Sequence, residues 1–146
     1  MIDRAVMNTL FAREQAEFAR THAKSAAAYA KAEHLFGSVP MTWMNKKAGG
    51  FPIYLDRAHG NRVWDIDGNE YIDFALGDTG AMAGHSAPEV VAAVQKRVAD
   101  LGGLTTMLPT EDAEWVGANL SERFGMAKWS FSLTATDANR WAIRLV

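Results

Sequence analysis

The sequence predicts an α/β chain, and three patterns carry that expectation. A stretch with helical apolar spacing lies near the N-terminus, three short alternating runs with tight turn signals follow it, and capped helical patterns with one further alternating run fill the rest. Composition agrees: 146 residues, 49% apolar and 22% charged, suit a globular chain with a core. The 15 Lys+Arg against 17 Asp+Glu give a net charge of −2, which excludes nucleic-acid binding by bulk positive charge. The absence of cysteine excludes a disulfide scaffold, a cysteine-ligated zinc site and a thiol nucleophile. No run reaches the roughly 18 apolar residues of a membrane span, and the start lacks a secretory pattern, so the expected location is cytoplasmic.

The first element is a helix over residues 8–36. Phe11, Phe18, His22, Ala26 and Tyr29 recur at helical intervals, while Arg13, Glu17, Arg20, Lys24 and Lys31 occupy the other side. Gly37-Ser38-Val39-Pro40 closes it. The mixed signs of the polar face favour docking on protein over a membrane surface.

From Pro52 the pattern becomes a three-strand antiparallel meander: Ile53 to Ala58, Arg62 to Ile66 and Glu70 to Ala75, joined at His59-Gly60-Asn61 and Asp67-Gly68-Asn69. Alternation places Ile53 with Leu55, Trp64 with Ile66, and Ile72 with Phe74. Asp65, Asp67 and Asp73 read as turn residues, because a calcium loop requires a denser acidic run closed by a bidentate Glu.

Residues 77–85 form a glycine-punctuated loop with neither the helical nor the strand period. His85, with no carboxylate or nucleophile at a legible spacing, reads as a hydrogen-bonded structural residue. Ser86-Ala87-Pro88-Glu89 opens a helix with Ser86 as cap and Val91, Val94, Val98 and Leu101 as its buried stripe, ended by Gly102-Gly103. Thr110 caps the next helix, with acidic residues in its first turn, Val116, Leu120 and Phe124 buried, and Gly125 as its stop. Lys128 to Leu133 reads as a strand, and Thr134 to Asn139 as a tight turn feeding a last helix. That helix shows no stop signal at Arg144-Leu145-Val146, so the sequence is expected to be a fragment cut within it.

The Thr134-Ala135-Thr136 turn is the most informative site candidate. A helix start exposes unpaired N–H groups and the positive end of the dipole, and small residues let an anion approach, so a phosphate fits; an ordinary threonine cap is the commoner use of the same residue type.

The run from Gly50 to Phe74 resembles the N-terminal meander of class III pyridoxal-phosphate aminotransferases, especially the glutamate-1-semialdehyde aminomutase branch. The resemblance continues through Gly84-His85 and Pro88-Glu89-Val90 to Thr134-Ala135-Thr136-Asp137-Ala138-Asn139, where that family has Ser-Gly-Thr-Glu-Ala-Asn. It spans about residues 35–146 and implies the N-terminal part of a fold-type I transferase. Residues 1–76 then belong to the small domain and 77–146 start the large pyridoxal 5'-phosphate domain.

By resemblance, Thr134, Ala135 and Thr136 contact the cofactor phosphate, with Ala135 in place of the usual glycine, which requires negative φ there. The glycine loop lies on the substrate side, with Asp78 and Thr79 as substrate contacts. Thr79 stands where many relatives have an aromatic residue, which implies a polar or reshaped pocket. The family's covalent lysine and its pyridine-pairing aspartate lie beyond residue 146, and none of Lys24, Lys31, Lys46, Lys47, Lys96 or Lys128 has a matching context, so no catalytic residue and no activity are expected within these residues. The implied reaction moves an amino group between an amine or amino acid and a keto acid or aldehyde, in a homodimer. An aminomutase and a non-catalytic module binding a phosphorylated ligand or a partner are the alternatives.

Overall fold

The computed structural model describes residues 3–45, 49–78, 80–102 and 108–146, and it divides into two compact units, Met1–Lys96 and Arg97–Val146. In the first unit the expected single helix over 8–36 is two helices, α1 (Arg4–Thr21) and α2 (Ala23–Lys31). Asp3 caps α1, its carboxylate accepting from the Ala5 and Val6 N–H groups. The break falls at His22, with φ −127° and ψ 39°. No glycine or proline marks it, because its cause is tertiary. The ring Nδ1 lies 2.8 Å from the Phe18 carbonyl and Nε2 2.7 Å from the Tyr71 hydroxyl, and Asn69 donates to the Thr21 carbonyl.

His22 gives α2 no side-chain cap. Asp67, in the turn between the second and third strands, supplies one from a distance: its carboxylate accepts from the Lys24 N–H (2.6 Å), the Ser25 N–H (3.0 Å) and the Ser25 hydroxyl (2.7 Å). The Ser25 hydroxyl also accepts from the Tyr54 N–H, which ties α2 to the entry of the sheet. Beyond α2 two short 3-10 turns follow, Phe36–Ser38 and Thr42–Asn45. Gly37 therefore sits in a turn at φ 73°, where Asn45 donates to its carbonyl, after the helix has already ended at Lys31.

The meander forms as expected: β1 (Leu55–His59), β2 (Arg62–Asp65) and β3 (Glu70–Ile72), antiparallel in that order. Val63 stands opposite Ala58 and Tyr71, and Trp64 opposite Arg57 and Glu70. Val63 and Asp65 are the buried pair of β2, with Asp65 only 1% exposed, whereas Ile72 is 52% exposed. The apolar Trp64 and Ile72 thus face away from the helices. On that side the Arg57 guanidinium lies 4.5 Å over the Trp64 ring, the indole N–H donates to Glu70, and Arg62 pairs with Glu70. Phe74 is exposed as well.

The polar residue wins the inner face because its bonds are complete there. Asp65 accepts from the Asn69 N–H (2.8 Å), the Asn69 side chain (2.9 Å) and the Tyr71 hydroxyl (2.8 Å), with His22 Nε2 at 3.5 Å. Burial pushes the Asp65 carboxyl up, but these bonds outweigh it and hold the group below the ordinary carboxylate value. Tyr71, pushed up to about 12 by burial and by Asp65, stays protonated and donates.

The helix after the glycine loop, α3 (Pro88–Leu101), starts one residue later than its capping motif suggests. The Ala87 carbonyl accepts from the Val91 N–H, while Ser86 sits at φ 56°, outside the extended range a side-chain cap requires. Of the expected buried stripe, Val91 is half-buried while Val94, Val98 and Leu101 are exposed.

In the second unit α4 (Glu111–Phe124) ends at Gly125, left-handed at φ 72°, whose N–H donates to the Ser121 carbonyl. Thr110 occupies the cap position without capping; its hydroxyl donates to the Asp112 carboxylate, which also pairs with Arg97. The expected strand over Lys128 to Leu133 is absent, because no described strand offers it a ladder. There Trp129 meets Phe124 edge-on, with its indole N–H on the Ser121 hydroxyl. The last helix, α5 (Ala135–Leu145), begins within the residues read as a turn. Among the described residues no helix is long and apolar enough to cross a membrane.

Replacing Asp67 by Ala removes the three bonds at the start of α2 and is expected to lower the melting temperature by about 5 °C at neutral pH, read by circular dichroism. In the folded chain Asp67, like Asp65, lies below the ordinary carboxylate value: burial raises it, and the Ser25 hydroxyl with the Lys24 and Ser25 N–H groups lowers it further. The stabilisation is therefore present above about pH 4 and lost as pH falls below it, so the D67A difference should shrink at acid pH.

Candidate functional site

The start of α5 follows from its first four residues. Thr134 is extended, at φ −141° and ψ 156°, and leads directly into the helix. Its hydroxyl accepts from the Asp137 N–H (3.1 Å), which makes it the N-cap, and donates to the Asp137 carboxylate (2.9 Å). The Ala138 N–H reaches the Thr134 carbonyl. Ala135 is the first helical residue and is not among the residues of positive φ, so the missing glycine imposes no strain.

These bonds divide the three threonine-run residues by role. The Thr134 hydroxyl is spent on the cap. The N–H groups of Ala135 and Thr136 and the Thr136 hydroxyl bond no described residue and remain as donors at the positive end of an 11-residue helix. Asp137 sits at the same end, and Arg140 approaches its other oxygen at 3.7 Å. The arrangement can hold a small oxyanion on two backbone donors and one hydroxyl, with little side-chain bulk in the way.

In the first unit, the glycine loop is fastened by a pair that sequence reasoning missed. Asp73, just after β3, accepts from the Ala75 N–H (2.8 Å) and the Leu76 N–H (3.0 Å) through one oxygen, and its other oxygen lies 2.6 Å from His85 Nε2. The hydrogen bond from His85 is the main cause that holds the Asp73 carboxyl below its ordinary value, followed by the Leu76 N–H. A short-range turn signal at Asp73 was available; its partner, 12 residues on, leaves none. His85 is hydrogen-bonded, as expected, but on a carboxylate. Asp78 is exposed at φ 51°, and Thr79 lies outside the described residues.

The three aspartates that suggest metal ligands on paper are thus each engaged: Asp65 under the helices, Asp67 on α2, and Asp73 on the loop. Lys24, Lys31, Lys96 and Lys128 are exposed, and Lys46 and Lys47 lie outside the described residues.

Residues 43–146 match the family described as Aminotransferase class-III. A glutamate-1-semialdehyde 2,1-aminomutase of Bordetella avium is 41% identical over 102 residues, 68% of this chain and 23% of that protein. A crystal structure of a glutamate-1-semialdehyde aminomutase from Pseudomonas aeruginosa matches 99% of this chain and 32% of its own, at 46% identity and a TM-score of 0.89. A lysine-to-alanine variant of that enzyme has also been solved in complex with PMP. A β-phenylalanine aminotransferase from Variovorax paradoxus matches 94% of this chain and 31% of its own, at 26% identity and a TM-score of 0.84. The chain spans about a quarter of the length of the curated relatives and about a third of these solved ones.

The division of roles predicts two different stability outcomes. Thr134→Val loses the α5 cap and should lower the melting temperature by a few degrees, about what removal of one N-cap costs. Thr136→Val removes a hydroxyl that bonds no described residue and should leave the melting curve unchanged.

Proposed function

Because the chain belongs to the class III aminotransferase family, we propose that it is the N-terminal portion of a pyridoxal-phosphate-dependent aminotransferase moving an amino group between an amine or amino acid and a keto acid or aldehyde. Its architecture is an N-terminal portion of a fold-type I transferase. The observation that carries the functional reading is the start of α5, a capped helix end whose first two N–H groups and Thr136 hydroxyl bond no described residue. The donor set suits a phosphate monoester: it is neutral, directional and backed by the helix dipole.

When bound, pyridoxal phosphate supplies an electron sink for bonds at the amino-bearing carbon. The roles of this chain are binding and orientation. Ala135 and Thr136 grip the phosphate, and Thr134 keeps the helix end rigid by bonding Asp137. Asp78 and Thr79 line the substrate side. The domain division falls at 76/77, with residues 77–146 opening the cofactor domain. The covalent lysine comes from outside residues 1–146, so these residues alone catalyse no transfer. The working enzyme is a cytoplasmic homodimer.

A second reading is favoured by the names of the relatives: an aminomutase, which moves the amino group within one substrate. The two separate on whether product forms without an added keto acceptor.

The test of the seat is Thr136→Ala in the full-length protein. It should weaken retention of pyridoxal phosphate about tenfold, the scale of one hydrogen bond to a charged group, followed as loss of cofactor absorbance on dialysis. Unchanged retention would return Thr136 to a plain helix position.

A further inference from the structure

The Asp73–His85 pair has no part in gripping a phosphate, yet it fastens both ends of the glycine loop. Leu76, Gly77 and Asp78 take φ 52°, 55° and 51° in succession, a left-handed course of which two members carry side chains. Residues adopt such backbone only where the surroundings over-determine it. The surroundings here are specific. Asp73 holds the Ala75 and Leu76 N–H groups at the entry to the stretch. Inside it, the Asp78 N–H reaches the Ala75 carbonyl and the Ala81 N–H reaches the Leu76 carbonyl.

The far end is held by His85. Its backbone exchanges two hydrogen bonds of 2.8 Å with Gly60, the turn residue between β1 and β2. Gly84 lies so close beneath that a Cβ there would stand 3.3 Å from the Gly60 carbonyl oxygen. The imidazole then returns to Asp73 at the near end. A carboxylate oxygen only accepts, so Nε2 carries the proton of this bond. His85 also lines an open cavity of about 220 Å³ with Gly80, Ala81, Ala83 and Gly84.

We infer that His85 is a positioning residue: through Asp73 and Gly60 it holds Leu76, Gly77 and Asp78 on the left-handed course that presents Asp78 to the amino substrate. This role rests on the function proposed above, and it deepens that reading by placing control of substrate affinity on a side chain that need not touch the substrate.

The experiment uses the full-length protein loaded with pyridoxal phosphate. Replacing His85 by Ala should raise KM for the amino donor about tenfold while kcat stays within about twofold, the pattern of lost binding without lost chemistry. Amide exchange at Leu76 and Ala81 should quicken in the same variant. His85→Gln, which returns an N–H near the Nε2 position, should restore both, and Asp73→Asn should shift both as His85→Ala does. A folded H85A variant with unchanged KM or unchanged exchange overturns the role. So does a parallel fall of kcat, affinity and cofactor retention that His85→Gln does not rescue, since that marks general damage to the fold. An active wild type with an unaltered variant removes the positioning role alone, whereas a wild type that moves no amino group removes the proposed function and this role together.

Discussion

The first unit depends on two carboxylates at the end of β2 and in the turn after it. Asp65, the last residue of β2, and Asp67, in the turn to β3, make the bonds that fix helices to sheet: Asp65 inward to Asn69, Tyr71 and the vicinity of His22, Asp67 across to the start of α2. With Val39 and Val63 as the buried apolar residues among those described, burial of hydrocarbon alone does not explain how these elements hold their places. Directional bonds do so, and they fix the register of the meander because a slip of one residue would turn Asp65 to the other face. Phe18, stacked on the His22 ring at 4.1 Å, adds an apolar cover to the same junction.

Much of this was legible in the residues, in proportion to how local the cause is. The meander was readable from its Gly-containing turns and the end of α4 from Gly125, because each rests on neighbours along the chain, whereas the residues read as a turn before α5 are its own first residues. The break at His22 was not, since it is imposed by Tyr71 and Asn69 from β3 and its preceding turn. The orientation of β2 was also hidden: apolar alternation favours Trp64, and only the full set of partners around Asp65 explains why a carboxylate lies inside. The strand expected over Lys128 to Leu133 failed for the same reason, as alternation describes a surface and a ladder needs a second chain segment.

At the candidate site the sequence supplied residue types and the structure divided their labour. A threonine at a helix start is read as cap or as ligand, and Thr134 shows why both readings arise: its hydroxyl makes the cap, while the next two N–H groups bond no described residue. Rigidity at such a terminus matters more than the number of donors, because an anion binds best where the dipoles are already aligned. Asp73 and His85 impose order on the glycine loop in the same way, by fixing backbone from outside the segment.

The cap that Asp67 lends to α2 also sets an order of events. Lys24 precedes its capping carboxylate by 43 residues, so during synthesis the N-terminal helices emerge before the group that stabilises their junction exists. Until β2 and β3 pair, the amides at the start of α2 are satisfied by water and the segment has little to hold it against fraying. The start of α2 is therefore fixed only once the meander has formed, which serves as the template on which that helix is completed.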